Sequence, residues 1–179
     1  KICENEVLKI EICKKIKKTK EINQKSMLVK DGLKSTSSIM TRIGETQREN
    51  ITKADQVMAA SIEFGRWVHT FGCGHATLPI EEMYPRIGGF VGFHPIIELP
   101  LTFFTNITGQ MGVHQFIFLE RVEGYGVEIM KGYDFDPRDT RWLFSLTGIN
   151  HVHIDVRFEP KKKGMKEIFI GSSSEEEGK

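Results

Sequence analysis

The sequence RWVHTFGCGHATLPIEEMYPR, residues 66–86, carries the clearest structural pattern in this chain. It opens with an apolar and β-branched run, which is typical of a buried strand. The run breaks at residues 72–75, GCGH, and the apolar residues of 78–84 then recur at helical spacing. In a strand, glycine turn and helix of this kind, free backbone N–H groups and the helix dipole face an anion. Glycine lets the backbone approach that anion closely, so the stretch predicts a ligand that carries a phosphate.

The elements on either side of this stretch alternate between helical and strand patterns. The predicted elements are a helix from Ser37 or Ser38 to Phe64 closed by Gly65, the strand 66–71 and its helix, a short strand 90–93, an irregular segment 94–112, a helix 115–130, a turn 134–139, a strand 141–145, a helix to about 163 and a last strand 167–170. This alternation predicts an α/β fold with a mainly parallel sheet and helices on both faces.

Composition places the chain among ordinary globular proteins. It has 179 residues, 39% of them hydrophobic and 27% charged, and a net charge of +1. Such a length is typical of one domain with a sizeable core. Three cysteines at no zinc-finger spacing, and the lack of a signal-peptide pattern, favour a cytoplasmic protein without structural disulfides or a structural metal.

Residues 1–37 differ from the rest of the chain and are interpreted as an extension. They contain ten Lys against four Glu and one Asp, about +5 in all. Leu8, Ile12 and Ile16 have helical spacing, which predicts a short amphipathic helix. A nucleic-acid or membrane arm is one interpretation, but no aromatic residue interleaves the lysines. A solvated leader is therefore favoured, and neither nucleic acid nor a membrane is expected as a partner.

Small and hydroxyl residues follow three of the predicted strands. They lie at Gly72–His75, at Ser145–Gly148 and at Gly171–Ser173. In an open parallel sheet, ligands bind beyond the carboxyl ends of the strands. Convergence of these turns would surround one anion with hydroxyl and N–H donors, although Ser and Gly are also common turn formers.

Four segments in this order resemble the SIS (sugar isomerase) domain family, especially its stand-alone bacterial phosphosugar-binding members. They are FGCGH, EEMYPRIGG, LERVEGYG and FSLTGIN, and the resemblance covers about residues 38–173. It implies a flavodoxin-like three-layer α/β/α sandwich, a cytoplasmic homodimer or tetramer, and a phosphorylated sugar as ligand. Residues 174–179 are then a polar tail. The family's sheet has five strands and the predicted strands number four, so the domain is expected to be truncated at its C-terminus.

Carried onto this chain, the resemblance assigns the phosphosugar contacts to two loops and to two further residues. The assigned residues are Gly72, Cys73, Gly74, His75, Ala76, Ser145, Thr147, Gly148, Ser172 and Glu123. Ala76 replaces a serine common in the family, and Leu146 stands where a polar residue is common. Leu78 stands where the phosphoheptose isomerases have a metal-ligand histidine. No metal and no cofactor are therefore expected.

Isomerisation needs a carboxylate that carries a proton between C1 and C2, and an acid that opens the ring. The resemblance implies Glu82 for the first role, and His75 in the turn is a candidate for the second. Each has a structural alternative: Glu82 can pair with Arg86 at i+4, and His75 can bond a strand-end carbonyl. Cys73 is interpreted as a pocket-lining residue, and His151 and His153 as solvent or interface residues. Glu120 and Glu123 are by default helix-surface ion-pair residues.

Three functions remain open from the sequence. The chain is a sugar-phosphate (aldose–ketose) isomerase, a non-catalytic phosphosugar sensor, or a nucleotide-binding protein. The last is a poor match, because Thr77 stands where the dinucleotide fingerprint has its third glycine. An exposed strand edge in a truncated sheet invites pairing, so a homodimer is predicted.

Overall fold

The structure is a computed structural model that describes residues 7–11, 29–84, 86–103, 109–161 and 163–171. Its strands are β1 (Val7–Glu11), β2 (Val68–Phe71), β3 (Phe93–Pro95), β4 (Thr140–Phe144) and β5 (Lys166–Gly171). Its α-helices are α1 (Val29–Thr46), α2 (Arg48–Glu63), α3 (Leu78–Met83), α4 (Leu99–Thr102), α5 (Gly112–Leu119), α6 (Tyr125–Lys131) and α7 (His151–Lys161). Two 3-10 turns, Gly74–Thr77 and Gly109–Met111, lead into α3 and α5.

The sheet is parallel throughout, with the order β1-β5-β4-β2-β3. Phe71 at the end of β2 lies opposite Leu143 of β4, and Leu143 lies opposite Phe169 of β5. The chain leaves β2 toward β3 on one side and returns to β4 on the other. The gap between the ends of β2 and β4 is therefore the topological switch point, where ligands bind in open α/β sheets.

Side chains alternate between the two faces of the sheet, and each face buries apolar residues. One face carries the larger cluster, in which Phe71, Leu143 and Phe169 pack with residues of α6 and α7 such as Met130 and Val152. On the other face, Ile168 packs with Ala54 of α2, and Val57, Met58, Trp142 and Ile170 lie around them. Helices on both faces make three layers, so the predicted α/β sandwich is confirmed.

A buried ion network joins β4, β5 and α7 within the larger core. The Arg141 side chain is fully buried and donates to Val156 O at 2.7 Å and to the Glu167 carboxylate. Arg157 Nε donates to the second Glu167 oxygen at 3.0 Å. Burial lowers the pKa of Arg141, and the Glu167 charge opposes that shift. One carboxylate thus holds a buried guanidinium between two strands and a helix.

Two helices that the periodicity predicts as continuous are interrupted. The helix predicted over 38–64 is α1 followed by α2, with Gln47 between them at φ −114° and ψ 1°, and it begins at Val29. The predicted closing residue Gly65 is confirmed, with φ +67°. The helix predicted over 115–130 breaks after Leu119 and resumes at Tyr125. There Gly124 has φ +82° and donates its N–H to Asp155 Oδ2 at 2.9 Å, which explains the glycine.

The amino-terminal helix predicted from Leu8, Ile12 and Ile16 is wrong at its start. Residues 7–11 form β1, whose register pairs Val7 with Glu167 and Glu11 with Gly171. The described residues therefore form five strands, where the sequence predicts four. Residues 12–28 lie outside the described part of the chain, as do Ser172, Ser173 and the tail 174–179.

Candidate functional site

The first candidate loop follows β2 and depends on two glycines. A Cβ at Gly72 would lie 2.4 Å from Ala76 O, so the backbone folds back closely there. Gly74 has φ +57°, and a Cβ on it would lie 2.6 Å from Phe116 Cζ. Thr77, which is buried, donates its hydroxyl to Gly74 O at 2.6 Å. The loop is thus a compact turn that leads directly into α3.

The second candidate loop follows β4 and is held by a serine. Ser145 is buried, and its Oγ accepts the N–H of Gly148 at 2.9 Å. Gly148 has φ +67°, a conformation that glycine adopts without strain. Leu146 is 71% exposed and points away from the protein, whereas Thr147 is half-buried. Accepting this bond leaves the Ser145 hydroxyl proton available to a ligand.

The two loops lie next to each other because β2 and β4 are paired neighbours that run in the same direction. They leave the same edge of the sheet at the switch point. Gly171 at the end of β5 reaches the second loop, since a Cβ there would lie 2.6 Å from Ser145 O. Ser172, the third predicted contact, lies outside the described residues.

A glutamate at the end of α5 interacts with residues of both loops. Glu120, at the end of α5, bonds the Asn150 side chain and acts electrostatically on Cys73. Its backbone oxygen also accepts the N–H of Val152, at the start of α7, at 3.2 Å. Burial raises the pKa of Glu120, while Arg121 and the Asn150 bond oppose the rise. A carboxyl group in this environment holds its proton to a higher pH than an exposed one.

A tyrosine–glutamate pair lies beside Cys73. Tyr125 donates its hydroxyl to Glu98 Oε1 at 2.8 Å. Burial, the bond to Glu98 and its negative charge raise the pKa of Tyr125 to about 12. Burial, and then the charge of Glu120, raise the pKa of the Cys73 thiol well above its usual range. Cys73 is therefore a buried thiol that stays neutral, and its pocket-lining role stays a prediction.

The two candidate catalytic residues from the sequence lie on the surface. Glu82 is 71% exposed and forms an ion pair with Arg86, the structural alternative considered for it. His75 is exposed within the first loop, and Glu123 is exposed in the turn before α6. Among the described residues, no group of three or more His, Cys, Asp and Glu side chains is arranged to hold a metal ion.

Sequence reasoning interpreted Glu120 as a helix-surface ion-pair residue, and it assigned no site role to Glu98 or Tyr125. A signal for Glu120 exists, because it lies four residues after the half-buried Phe116 and so on the same face of α5. The interpretation of the histidines is half right. His151 is exposed, but His153 is buried and its Nε2 lies 3.2 Å from Phe144 O.

A parallel sheet whose switch point carries a glycine turn and a hydroxyl-bearing loop defines the class of open α/β domains with helices on both faces. The family model of the SIS domain matches residues 33–172, and the chain belongs to this family. The resemblance noted from the sequence is thereby confirmed.

Several curated bacterial proteins are similar to this chain. A UPF0309 protein of Geobacillus sp. (strain WCH70) is 34% identical over 128 residues, which cover 72% of this chain and 49% of that protein. A UPF0309 protein of Listeria monocytogenes serotype 4b (strain CLIP80459) is 31% identical over 137 residues, 76% of this chain and 53% of its own length. The chain thus spans about half the length of these relatives. In the part of the chain that the structure describes, none of the helices is long and apolar enough to cross a membrane.

Proposed function

We propose that this chain binds a phosphorylated sugar at the two loops 72–76 and 145–150. The observation that carries the proposal is that these two loops leave paired, neighbouring strands at the switch point. Backbone N–H groups of the glycine turn and the Ser145 hydroxyl supply donors for phosphate oxygens. Membership of the SIS family supports a sugar phosphate over other anions.

The polar wall beside the loops suits the sugar end of such a ligand. Glu120, Asn150 and the Tyr125–Glu98 pair offer both donors and acceptors to hydroxyl groups. Cys73 contributes a neutral surface between them. A phosphate held at the loops and hydroxyls held at this wall would orient the ligand along the edge of the sheet.

Calorimetric titration tests the binding proposal. Glucosamine 6-phosphate and fructose 6-phosphate are compared with glucosamine and fructose, and the phosphorylated sugars are expected to bind at least tenfold more tightly. Ser145→Ala should weaken that binding about tenfold, because it removes one charge-assisted hydrogen bond. Thr52→Ala is the matched control, since Thr52 bonds Arg48 O on exposed α2. Equal affinity with and without phosphate, or no binding by either sugar phosphate, would overturn the proposal.

Aldose–ketose isomerisation is a second candidate function, and one observation favours it. Glu120 has a raised pKa and interacts with Asn150 of the second loop and with Cys73 of the first, so it is a candidate to exchange a proton with a sugar bound there. In such a reaction the carboxylate takes the proton from C2 of the open-chain aldose, which gives an enediolate, and returns it to C1, while the hydroxyl proton on O2 passes to O1. Glu82 remains a candidate base, because its position matches the catalytic glutamate of the phosphoheptose isomerases, and His75 remains the candidate acid.

Proton exchange in D2O separates the catalytic candidate from a non-catalytic sensor. NMR of a bound sugar phosphate measures loss of the C2 proton signal in the wild type, Glu120→Gln, Glu82→Gln and His75→Asn. If the wild type exchanges the C2 proton and Glu120→Gln or Glu82→Gln abolishes this exchange while binding is retained, the chain is an isomerase and the substituted residue is the base. Binding without exchange supports the sensor.

We also propose a homodimer that covers one face of α1. Among the described residues α1 has none that is buried, and Val29, Leu33 and Met40 are 79%, 66% and 65% exposed on one stripe. A helix with an exposed apolar stripe is stabilised by a partner. Sedimentation should give a dimer for the wild type and a monomer for Met40→Glu, with Ser35→Glu on the opposite face as control. A monomeric wild type would contradict the proposal.

A further inference from the structure

A second polar cluster lies at the opposite edge of the sheet, where β2 and β4 begin. Its centre is Asp139, whose side chain is fully buried. Asp139 accepts hydrogen bonds from Arg66 Nε at 2.9 Å, Arg66 Nη2 at 3.1 Å, Trp67 N at 3.1 Å and Asp136 N at 2.8 Å. His69 Nε2 lies 3.3 Å from the same carboxylate. Burial alone would raise the pKa of Asp139, but these bonds together lower it, so the group is a carboxylate.

The cluster continues from Asp139 through two histidines on neighbouring strands. His69 of β2 lies opposite His94 of β3 in the sheet register, and their Nδ1 atoms are 3.0 Å apart. Burial lowers the pKa of His69, partly offset by Asp139, and burial also lowers the pKa of His94. Both imidazoles are therefore neutral near pH 7.

This arrangement dictates where each proton lies. A carboxylate can only accept, so His69 Nε2 carries the proton that it donates to Asp139. The lone pair of neutral His69 is then on Nδ1, and His94 Nδ1–H must donate to it. His94 in turn has its lone pair on Nε2. Among the hydrogen bonds of the described residues, the His94 ring uses Nδ1, toward His69, and not Nε2.

His94 is part of the wall of a cavity of about 540 Å³ beside β3. Trp67, Tyr84 and Tyr133 form aromatic walls, and Arg86 lies at the same cavity. The ring centroids of Trp67 and Tyr133 are 5.8 Å and 5.7 Å from that of His94. The volume falls within the range of small-molecule sites. None of the loop residues 72–76 or 145–150 lines this cavity, so it is separate from the candidate phosphosugar site.

We propose that this cavity is a second ligand site, in which the Asp139–His69–His94 relay presents the Nε2 lone pair of His94 to a planar heteroaromatic ligand with an N–H donor. The aromatic walls favour a flat ring, which they contact by stacking or edge-to-face packing. The fixed acceptor selects rings that carry a donor, because an acceptor facing His94 Nε2 leaves two lone pairs opposed. His94 is the binding residue, and His69 and Asp139 are positioning residues.

Inosine and 1-methylinosine are a matched pair of probes, since methylation removes the N1–H donor and leaves the ring flat. The chain contains two tryptophans, so the Trp142→Phe variant leaves Trp67 as the reporter of cavity occupancy. Inosine is expected to quench Trp67 fluorescence saturably, and 1-methylinosine to bind about tenfold more weakly. His94→Phe should remove that tenfold preference while keeping an aromatic wall. Loss of one hydrogen bond from a desolvated site sets this magnitude.

Two results would overturn the proposal. One is the absence of saturable quenching by inosine at millimolar concentration, and the other is equal affinity for the two nucleosides. The relay has its own readout, which needs no ligand: nitrogen-15 NMR of the wild type should show His94 protonated at Nδ1 and unprotonated at Nε2. The opposite tautomer would refute it. His94→Phe should leave sugar-phosphate binding unchanged, so failure at this site and failure at the switch-point loops are distinguishable.

Discussion

Adding a single methyl group at Gly72 tests the geometry of the first loop. The Cβ of Gly72→Ala would lie 2.4 Å from Ala76 O and 2.8 Å from Ala76 C, whereas real Cβ atoms essentially never come closer than 3.0 Å to such atoms. The Cβ–O distance must therefore grow by at least 3.0 − 2.4 = 0.6 Å. Both obstructing atoms belong to the backbone of the turn before α3, so relief must move the turn itself. We expect a destabilisation of about 2 kcal/mol, within the range for overpacked sites.

The assay is urea unfolding followed by far-UV circular dichroism, together with thermal melts. For a chain of this size, about 2 kcal/mol corresponds to a fall in Tm of roughly 4–8 °C. The same variant should lose at least tenfold in affinity for sugar phosphates, because the displaced N–H groups no longer converge.

Gly44→Ala is the matched control for Gly72→Ala. Gly44 lies in α1, and a Cβ on it would meet no atom within 4 Å. Helix propensity then predicts that the variant is more stable by up to about 1 kcal/mol. A Gly72→Ala variant as stable as the wild type, with unchanged sugar-phosphate affinity, would refute the close approach of residues 72 and 76.

Three further predictions concern buried groups. Glu167→Leu should cost about 3 kcal/mol or more, because it leaves Arg141 buried without its carboxylate, and the double variant with Arg141→Met should recover most of that loss; additive losses in urea unfolding would contradict this. Burial lowers the pKa of His153 to about 4, so between pH 6.5 and pH 4 the unfolded chain binds a proton that the folded one does not. The free energy of unfolding therefore decreases as the pH is lowered through this range. His153→Gln should remove about 3 kcal/mol of the difference between unfolding free energies at pH 7 and pH 4; an unchanged difference would show that the folded histidine titrates normally. On a background without the other two cysteines, Cys73 should react with Ellman's reagent far more slowly in the native protein than in urea, since burial raises its pKa; equal rates would refute a buried thiol.

The sequence predicts the order of the elements well because the strands are buried on both faces. Segments such as Val68–Phe71 and Thr140–Phe144 are short apolar or β-branched runs between turn residues, and this pattern survives in any packing arrangement. The same pattern places the two candidate loops at one edge of the sheet. The two loops are adjacent because β2 pairs with β4, and this strand order cannot be predicted from the residues of each strand alone.

The elements that were predicted wrongly depend on tertiary contacts. The spacing of Leu8 and Ile12 fits a helix, yet residues 7–11 lie along the free edge of β5 as β1. Short segments take the structure that their neighbours offer, since tertiary context overrides propensity. The break between α5 and α6 has a similar origin, because Gly124 leaves the helical path and bonds Asp155 of α7.

For the candidate site, the sequence does not predict the direction in which each side chain points. Glu82 and Glu120 are both glutamates on short helices near the first loop, and the sequence gives each a plausible ion-pair partner. The structure pairs Glu82 with Arg86 on the surface and turns Glu120 inward toward Asn150. Burial favours the protonated form of a carboxyl group. Proton transfer to a sugar is easier when the pKa of the carboxyl group lies above its usual range, and burial raises the pKa of Glu120. Glu120 is therefore a candidate base for any isomerase activity.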